Sequence, residues 1–288
     1  DFPTDGYVAQ GLAELLGATR CRLRAVPPDA LADALDDDVA VLMLTQVNFR
    51  DGRLLDMAAL TAAAHAHGAL ALWDLAHSAG AMPVELDACG ADMAVGCGYK
   101  YLNGGPGAPS FLYLAKRLQD QAGQPLSGWM GHRNPFDFDP TYSAAAGIER
   151  YLSGTPGILG MAALDAALEV FDGVSTQDLR YKSVALTQAF IGAVQEMELP
   201  DIEVLTPLEP EHRGSHVSLA HPHGYAIAQA LIEQGVIVDF RAPDIIRFGF
   251  APMYNRFVDA GKACQVLAQI VREEMYLDPR FTQRSKVT

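Results

Sequence analysis

The sequence predicts an α/β fold: a mostly parallel central sheet flanked by helices, followed by a smaller C-terminal α/β domain. Three observations predict it. Apolar runs at 39–45 and 69–73 have the length and continuity of buried parallel strands, and 92–96 reads as a third, short strand. A segment of helical period separates the first two, giving the β-α-β rhythm of a sheet covered by helices. The same rhythm restarts near residue 216.

The run 39–45 (VAVLMLT) is expected to be buried on both faces. Residues 56–67 have helical spacing, and Gly68 stops them. The run 69–73 (ALALW) is a second strand ending at Asp74, and 92–96 is a third. Residues 110–114 (SFLYL) follow a Gly-rich loop that allows an antiparallel return. Two helices are expected at 157–171 and 176–197, split by Asp172-Gly173. Beyond them the pattern predicts strands at 216–220, 236–240 and 245–250, a helix at 224–233, and an amphipathic helix at 258–274. The tail after Pro279 is polar and expected to fray. The division falls between a large domain, 1–175, and a small one, 176–288.

Composition narrows the function. With 21 basic and 35 acidic residues the formal charge is −14, which argues against nucleic acid and against anionic membranes. No apolar stretch has spanning length. The four cysteines, Cys21, Cys89, Cys97 and Cys264, form no C-x-x-C pair and are read as free thiols of a cytoplasmic protein. No metal site is expected. Because the first residue is Asp1 and not Met, the chain is expected to begin inside a longer protein.

The chemistry centres on two residues. Asp74 follows a strand, at the carboxyl edge where open parallel sheets bind ligands. Lys100 follows the next strand within GCGYKYLNGGPGAP, between Tyr99 and Tyr101, and is one of five lysines. Alone, Asp74 reads more simply as a helix cap and Lys100 as a surface lysine lying on aromatic rings. Together, 26 residues apart on successive strand ends, they are what pyridoxal 5′-phosphate (PLP) requires: a lysine for its aldehyde and an acid for its pyridine nitrogen. There is no Walker loop and no G-x-G-x-x-G fingerprint to favour a nucleotide.

The segment WDLAHSAGAMPVELDACGADMAVGCGYKYLNGGPGAP resembles the core of kynureninases, within the fold type I, aminotransferase class V-like PLP-dependent enzymes. The opening DFPTD, the element VNFRDG at 47–52 and VDFRAPDIIRFGFAPMYNRFVD at 238–259 also resemble kynureninase segments. The resemblance runs to about residue 260. It implies hydrolytic cleavage of kynurenine or 3-hydroxykynurenine to anthranilate or its 3-hydroxy form and alanine in tryptophan catabolism, by a homodimer with shared active sites. It also implies roles. Phe2 would stack on the PLP ring and Asp5 would be a second acid near it. Asp74 would pair with the pyridine nitrogen, and His77 would lie by the ring or substrate. Tyr99 would reach the phosphate and relay a proton. Lys100 would hold the cofactor covalently and shuttle protons. Trp129 and Thr155 would reach the cofactor phosphate of a neighbouring subunit. Arg247 would clamp the substrate carboxylate, with Arg241 as its rival.

Simpler readings stand beside these: Thr155 as a helix N-cap before Pro156, Arg247 as a solvent-exposed strand residue, Phe2 and Trp129 as ordinary packed aromatics. The family places a phosphate-binding loop ahead of the residue matching Phe2, so residues 1–288 alone are expected to bind PLP poorly and to be inactive. The competing functions are another class V enzyme, a cysteine desulfurase or aminotransferase, and a non-catalytic relative. A desulfurase needs a reactive cysteine on a mobile loop, which none of the four cysteines suits.

Overall fold

The structure, a computed structural model, describes residues 1–283. In chain order it contains α1 (Pro3–Leu16), β1 (Val41–Thr45), α2 (Met57–Ala66), β2 (Leu70–Asp74), β3 (Met93–Cys97), β4 (Ser110–Leu114), α3 (Lys116–Gln119), α4 (Ile158–Leu168) and α5 (Thr176–Glu196). There follow β5 (Glu203–Val204), β6 (His216–Ala220), α6 (Gly224–Glu233), β7 (Asp239–Arg241), β8 (Ile245–Gly249), α7 (Phe257–Arg272) and α8 (Pro279–Thr282).

Strands β1-β2-β3-β4 form one sheet in that order, the first three parallel and β4 antiparallel to β3, as the Gly-rich loop predicts. Helix α2 starts where the Asp56 carboxylate accepts the Ala59 amide at 2.9 Å. It packs Met57 and Ala64 against Leu42, Leu44, Ala71 and Trp73. The Trp73 indole, fully buried, donates to the Thr61 hydroxyl at 3.0 Å, so its one polar atom does not oppose burial. The expectation of strands buried on both faces is corrected. Burial alternates along β1 and β3, and Val41 and Val95 remain 46% and 40% exposed on the face away from α2.

The second sheet has the order β5-β6-β8-β7 and is antiparallel throughout. Helices α5, α6 and α7 bury it in a continuous core. Within that core Phe190 lies 4.6 Å from Phe248 and 5.2 Å from Phe250, between ring centroids. The second strand expected here, 236–240, begins at Asp239. The described part of the tail forms α8 with Phe281 buried; the rest of the tail expected to fray, 284–288 with Lys286, lies outside the described residues. Sequence periodicity missed α1 and the two-residue β5. Helix α1 buries none of its residues, so it carries no one-sided apolar pattern to read.

The loop 48–54 joins the two sheets. Leu54 N donates to His212 O at 2.9 Å, Gly214 N to Gly52 O at 2.8 Å, and the Ser218 hydroxyl to Arg50 O at 2.5 Å. These bonds fix the loop at the carboxyl edge of β1 against β6 and the segment that leads into it, and the candidate site opens at that junction.

Candidate active site

Asp74 ends β2 beside Val95 of β3. One of its oxygens accepts the Ala76 amide at 2.8 Å, closing the turn that leads to His77. His77 is buried, and its Nε2 lies 3.3 Å from Lys100 Nζ. Lys100 sits in the turn after β3, with Nζ 5.5 Å from the Tyr99 ring centroid. Gly80 holds the two loops together: it has φ +86°, and a Cβ there would stand 2.7 Å from the Tyr101 carbonyl carbon and oxygen. Only glycine combines that backbone with such an approach. The Tyr101 hydroxyl then crosses to the second sheet, donating to Ser215 O at 3.1 Å.

The second half comes from β7 and β8. Antiparallel register sets Asp239 opposite Arg247. The guanidinium donates twice to that carboxylate, at 2.6 Å from Nε and 2.5 Å from Nη2, and its Nη1 donates to Phe49 O at 2.5 Å. Arg247 is 9% exposed, which overturns its reading as a solvent-exposed strand residue: its face of the sheet turns toward loop 48–54. Arg241 touches the same Asp239 carboxylate at 3.3 Å.

His77, Tyr99, Lys100, Arg241 and Arg247 line one cavity of about 410 Å³ together with His216. Phe2, Asp5 and Asp74 do not line it, but the two acids are tied to Lys100 by charge. The chain start is held where Thr45 N donates to Asp1 Oδ1 at 2.6 Å. Phe2, 40% exposed, meets Phe49 edge-on at 5.2 Å, so the simple reading of Phe2 as a buried aromatic fails.

Burial pushes the Asp5 carboxyl up, and the charge of Asp74 adds to it, with Lys100 opposing. Asp74 is also raised by burial, against the Ala76 amide and Lys100. Burial lowers the Lys100 amine, against Cys97 and Asp74. Burial and neighbouring cations, Lys100 first, bring His77 down to about 2. Burial, then Cys97 and Asp74, raises the Tyr99 hydroxyl and keeps it a proton donor. Burial works to raise Asp239, but Arg247 and Arg241 outweigh it and hold that carboxyl below its usual range.

These groups fit PLP. Asp5 Oδ2 is buried with no hydrogen-bond partner in the chain. Two mutually repelling acids short of positive charge suit a protonated ring nitrogen. A desolvated amine beside them suits an aldehyde.

Trp129 and Thr155 are not brought to this cavity. Trp129 lines a separate hollow of about 260 Å³ and packs at 5.6 Å against Phe136 and 6.5 Å against Phe138. Gly128 lies so close to the Ser153 backbone that no side chain would fit, which sets the segments carrying Trp129 and Thr155 side by side. The helix-cap reading of Thr155 is corrected: α4 begins at Ile158 with Gly157 as its N-cap, and Thr155 stands exposed in the lead-in.

The sequence reading missed Asp239, Tyr101 and His216. Asp239 was within reach, since a tight turn at 242–244 between two strands fixes 239 opposite 247. His216 was not, because nothing in its own strand points to loop 48–54 or to Lys100.

The fold matches solved structures. A cysteine desulfurase from Thermococcus onnurineus superposes with a TM-score of 0.73 at 21% identity, over 92% of this chain and 69% of that one. C-DES with glycine covalently linked to its PLP cofactor superposes with 0.77 at 22%, over 93% and 72%. These likenesses show the class of fold, an α/β fold shared with a cysteine desulfurase and with a PLP-linked C-DES.

Sequence comparison is more specific. A kynureninase of Deinococcus radiodurans is 52% identical over 95% of this chain and 66% of its own length. A kynureninase of Pseudomonas fluorescens is 48% identical over 100% of this chain and 70% of its own. The family model "Kynureninase C-terminal domain" matches residues 179–267. The chain belongs to the kynureninase family, and it spans 66% to 70% of the length of these relatives.

Proposed function

We propose that the protein hydrolyses L-kynurenine, with water, to anthranilate and L-alanine, using PLP held at Lys100. The observation that carries this reading is that Lys100, from the parallel sheet, and Arg247, from the antiparallel sheet, open on one cavity. An α-amino acid can reach the cofactor and have its carboxylate held at the same time.

PLP bound there would supply an electron sink for charge formed at the substrate α-carbon. Asp74, backed by Asp5, would hold a proton on the ring nitrogen. Lys100, its amine made less basic by burial, would take the α-proton and deliver it to the former aldehyde carbon of the cofactor. Arg247 would hold the carboxylate, kept planar and oriented by Asp239. Water would add to the side-chain ketone, and as the bond from that carbon to the β-carbon breaks, leaving the carboxyl of anthranilate, Tyr99 would donate a proton to the β-carbon. Phe2, at the edge of Phe49, would cover the ring.

The desulfurase alternative gains nothing from the cysteines. Cys264 is buried, with its thiol raised to about 11 by burial, and Cys89 is raised by burial as well. The reading extends to a cytoplasmic homodimer in which Trp129 and Thr155 face the partner's cofactor phosphate; their position away from Lys100 supports that arrangement. Among the described residues no helix is long and apolar enough to cross a membrane.

The test is anthranilate fluorescence on adding L-kynurenine to the complete protein loaded with PLP, with sulfide release from L-cysteine measured in parallel. Anthranilate and alanine in equal amounts support the proposal; sulfide without anthranilate overturns it.

A further inference from the structure

His216 is 3% exposed, yet neither ring nitrogen has a hydrogen-bond partner in the chain. A buried polar group without a partner costs stability, so one that persists in a cavity wall marks a place where a ligand can supply the missing bond. The ring lies 5.5 Å from the His77 ring, tilted by 55°, and lines the cavity that holds Lys100 and Arg247.

Strand register shows what the ring faces. His216 pairs with Gly249, and Ser218 pairs with Arg247. Alternation puts His216, Ser218, Arg247 and Gly249 on one face of the sheet. Gly249 has no side chain to cover the imidazole, and a Cβ added there would meet nothing within 4 Å. The space over Gly249 is therefore bounded by His216 on one strand and lies two residues along β8 from the carboxylate-binding arginine. An amino acid anchored at Arg247 and at Lys100 has this space for its side chain.

We propose that His216 contacts the substrate directly, a neutral imidazole donating a hydrogen bond to the ketone oxygen of the substrate side chain and so selecting β-acyl amino acids over simple ones. Burial and the Arg247 charge keep the ring neutral, with its value brought down to about 3, so one nitrogen carries a hydrogen and the other accepts. This inference rests on the kynurenine-cleaving reading and adds a residue to it.

The experiment uses the complete protein loaded with PLP and two ligands, L-kynurenine and L-alanine, the second lacking the ketone. Alanine binding is read from the change it causes in the visible absorbance of the bound cofactor. His216→Leu is expected to lower kcat/KM for kynurenine about 100-fold, with the unliganded spectrum unchanged and the alanine Kd within about threefold. His216→Gln, which keeps a donor and an acceptor, should recover most of the loss. Should His216→Leu fail to load cofactor, Gly249→Val answers the same question from the facing strand. It should raise KM for kynurenine and spare alanine. Kynurenine turnover untouched by His216→Leu, or kynurenine and alanine weakened alike by both variants, would overturn the inference while the proposed function stood. A wild-type enzyme without kynurenine turnover would overturn both.

Discussion

Asp239 grips Arg247 through two parallel hydrogen bonds, while the carbonyl of Phe49 takes a third from the same guanidinium. The arginine is thereby fixed by its neighbour on β7 and by the loop that ties the sheets together. Its plane is set before any carboxylate arrives, so little ordering remains to be done on binding.

Asp239→Asn keeps the shape and removes the charge. The expected result is a fall in kcat/KM of roughly tenfold to 100-fold, from losing about 1.5–3 kcal/mol of charged hydrogen bonding. Most of it should appear in KM, because Arg247 binds ground state and transition state alike. Steady-state kinetics on kynurenine check this; a change confined to kcat would contradict it.

Lys100 titrates below an ordinary lysine because burial outweighs the help of Cys97 and Asp74. Its neutral fraction at a given alkaline pH is therefore larger. Reductive trapping of an added aldehyde on Lys100 should rise at lower pH than on a lysine in a model peptide. Coincident pH curves would show that burial does not tune this amine.

Asp92 is 1% exposed and accepts the Ala71 amide at 2.7 Å, His65 at 2.7 Å and Arg117 at 2.5 Å. Burial would raise it, but these partners prevail and its folded-state pKa is lowered. Its stabilisation is thus complete above the unfolded value near 3.8 and is lost as pH falls through the folded value. Asp92→Asn should cost about 2 kcal/mol at neutral pH. Denaturant melts of the two proteins should differ at pH 7 and converge in strong acid.

Gly80→Val puts a side chain into the Tyr101 backbone at a positive φ. The loop carrying Lys100 has to move, so the visible absorbance of lysine-bound cofactor should fall several-fold, more than global melting temperature does. Normal cofactor loading in this variant would mean that the approach of the two loops is not needed.

Much of the fold was legible because its signals are local. The strand at 110–114 and the antiparallel turn before it, the strand 216–220 and the helix 224–233 follow from apolar runs and glycine stops, and the structure places them within a residue. Asp74, His77, Tyr99 and Lys100 were legible as one contiguous motif, and the structure draws His77 and Lys100 to 3.3 Å. What was not legible depends on contacts distant in sequence. The burial of Arg247 comes from Phe49, 198 residues away, and alternation alone could not say what covers that face. The Thr155-Pro156 signal misplaced a helix start because α4 begins two residues beyond the proline. Helix α1 escaped notice because none of its residues is buried.

On the proposed function Lys100 is the residue that holds PLP. Borohydride reduction of the complete, PLP-loaded protein, followed by peptide mass spectrometry, tests this. One stoichiometric adduct is expected, on the peptide carrying Lys100. An adduct on Lys116, Lys182 or Lys262 instead, or reduction that leaves Lys100 free, would contradict it.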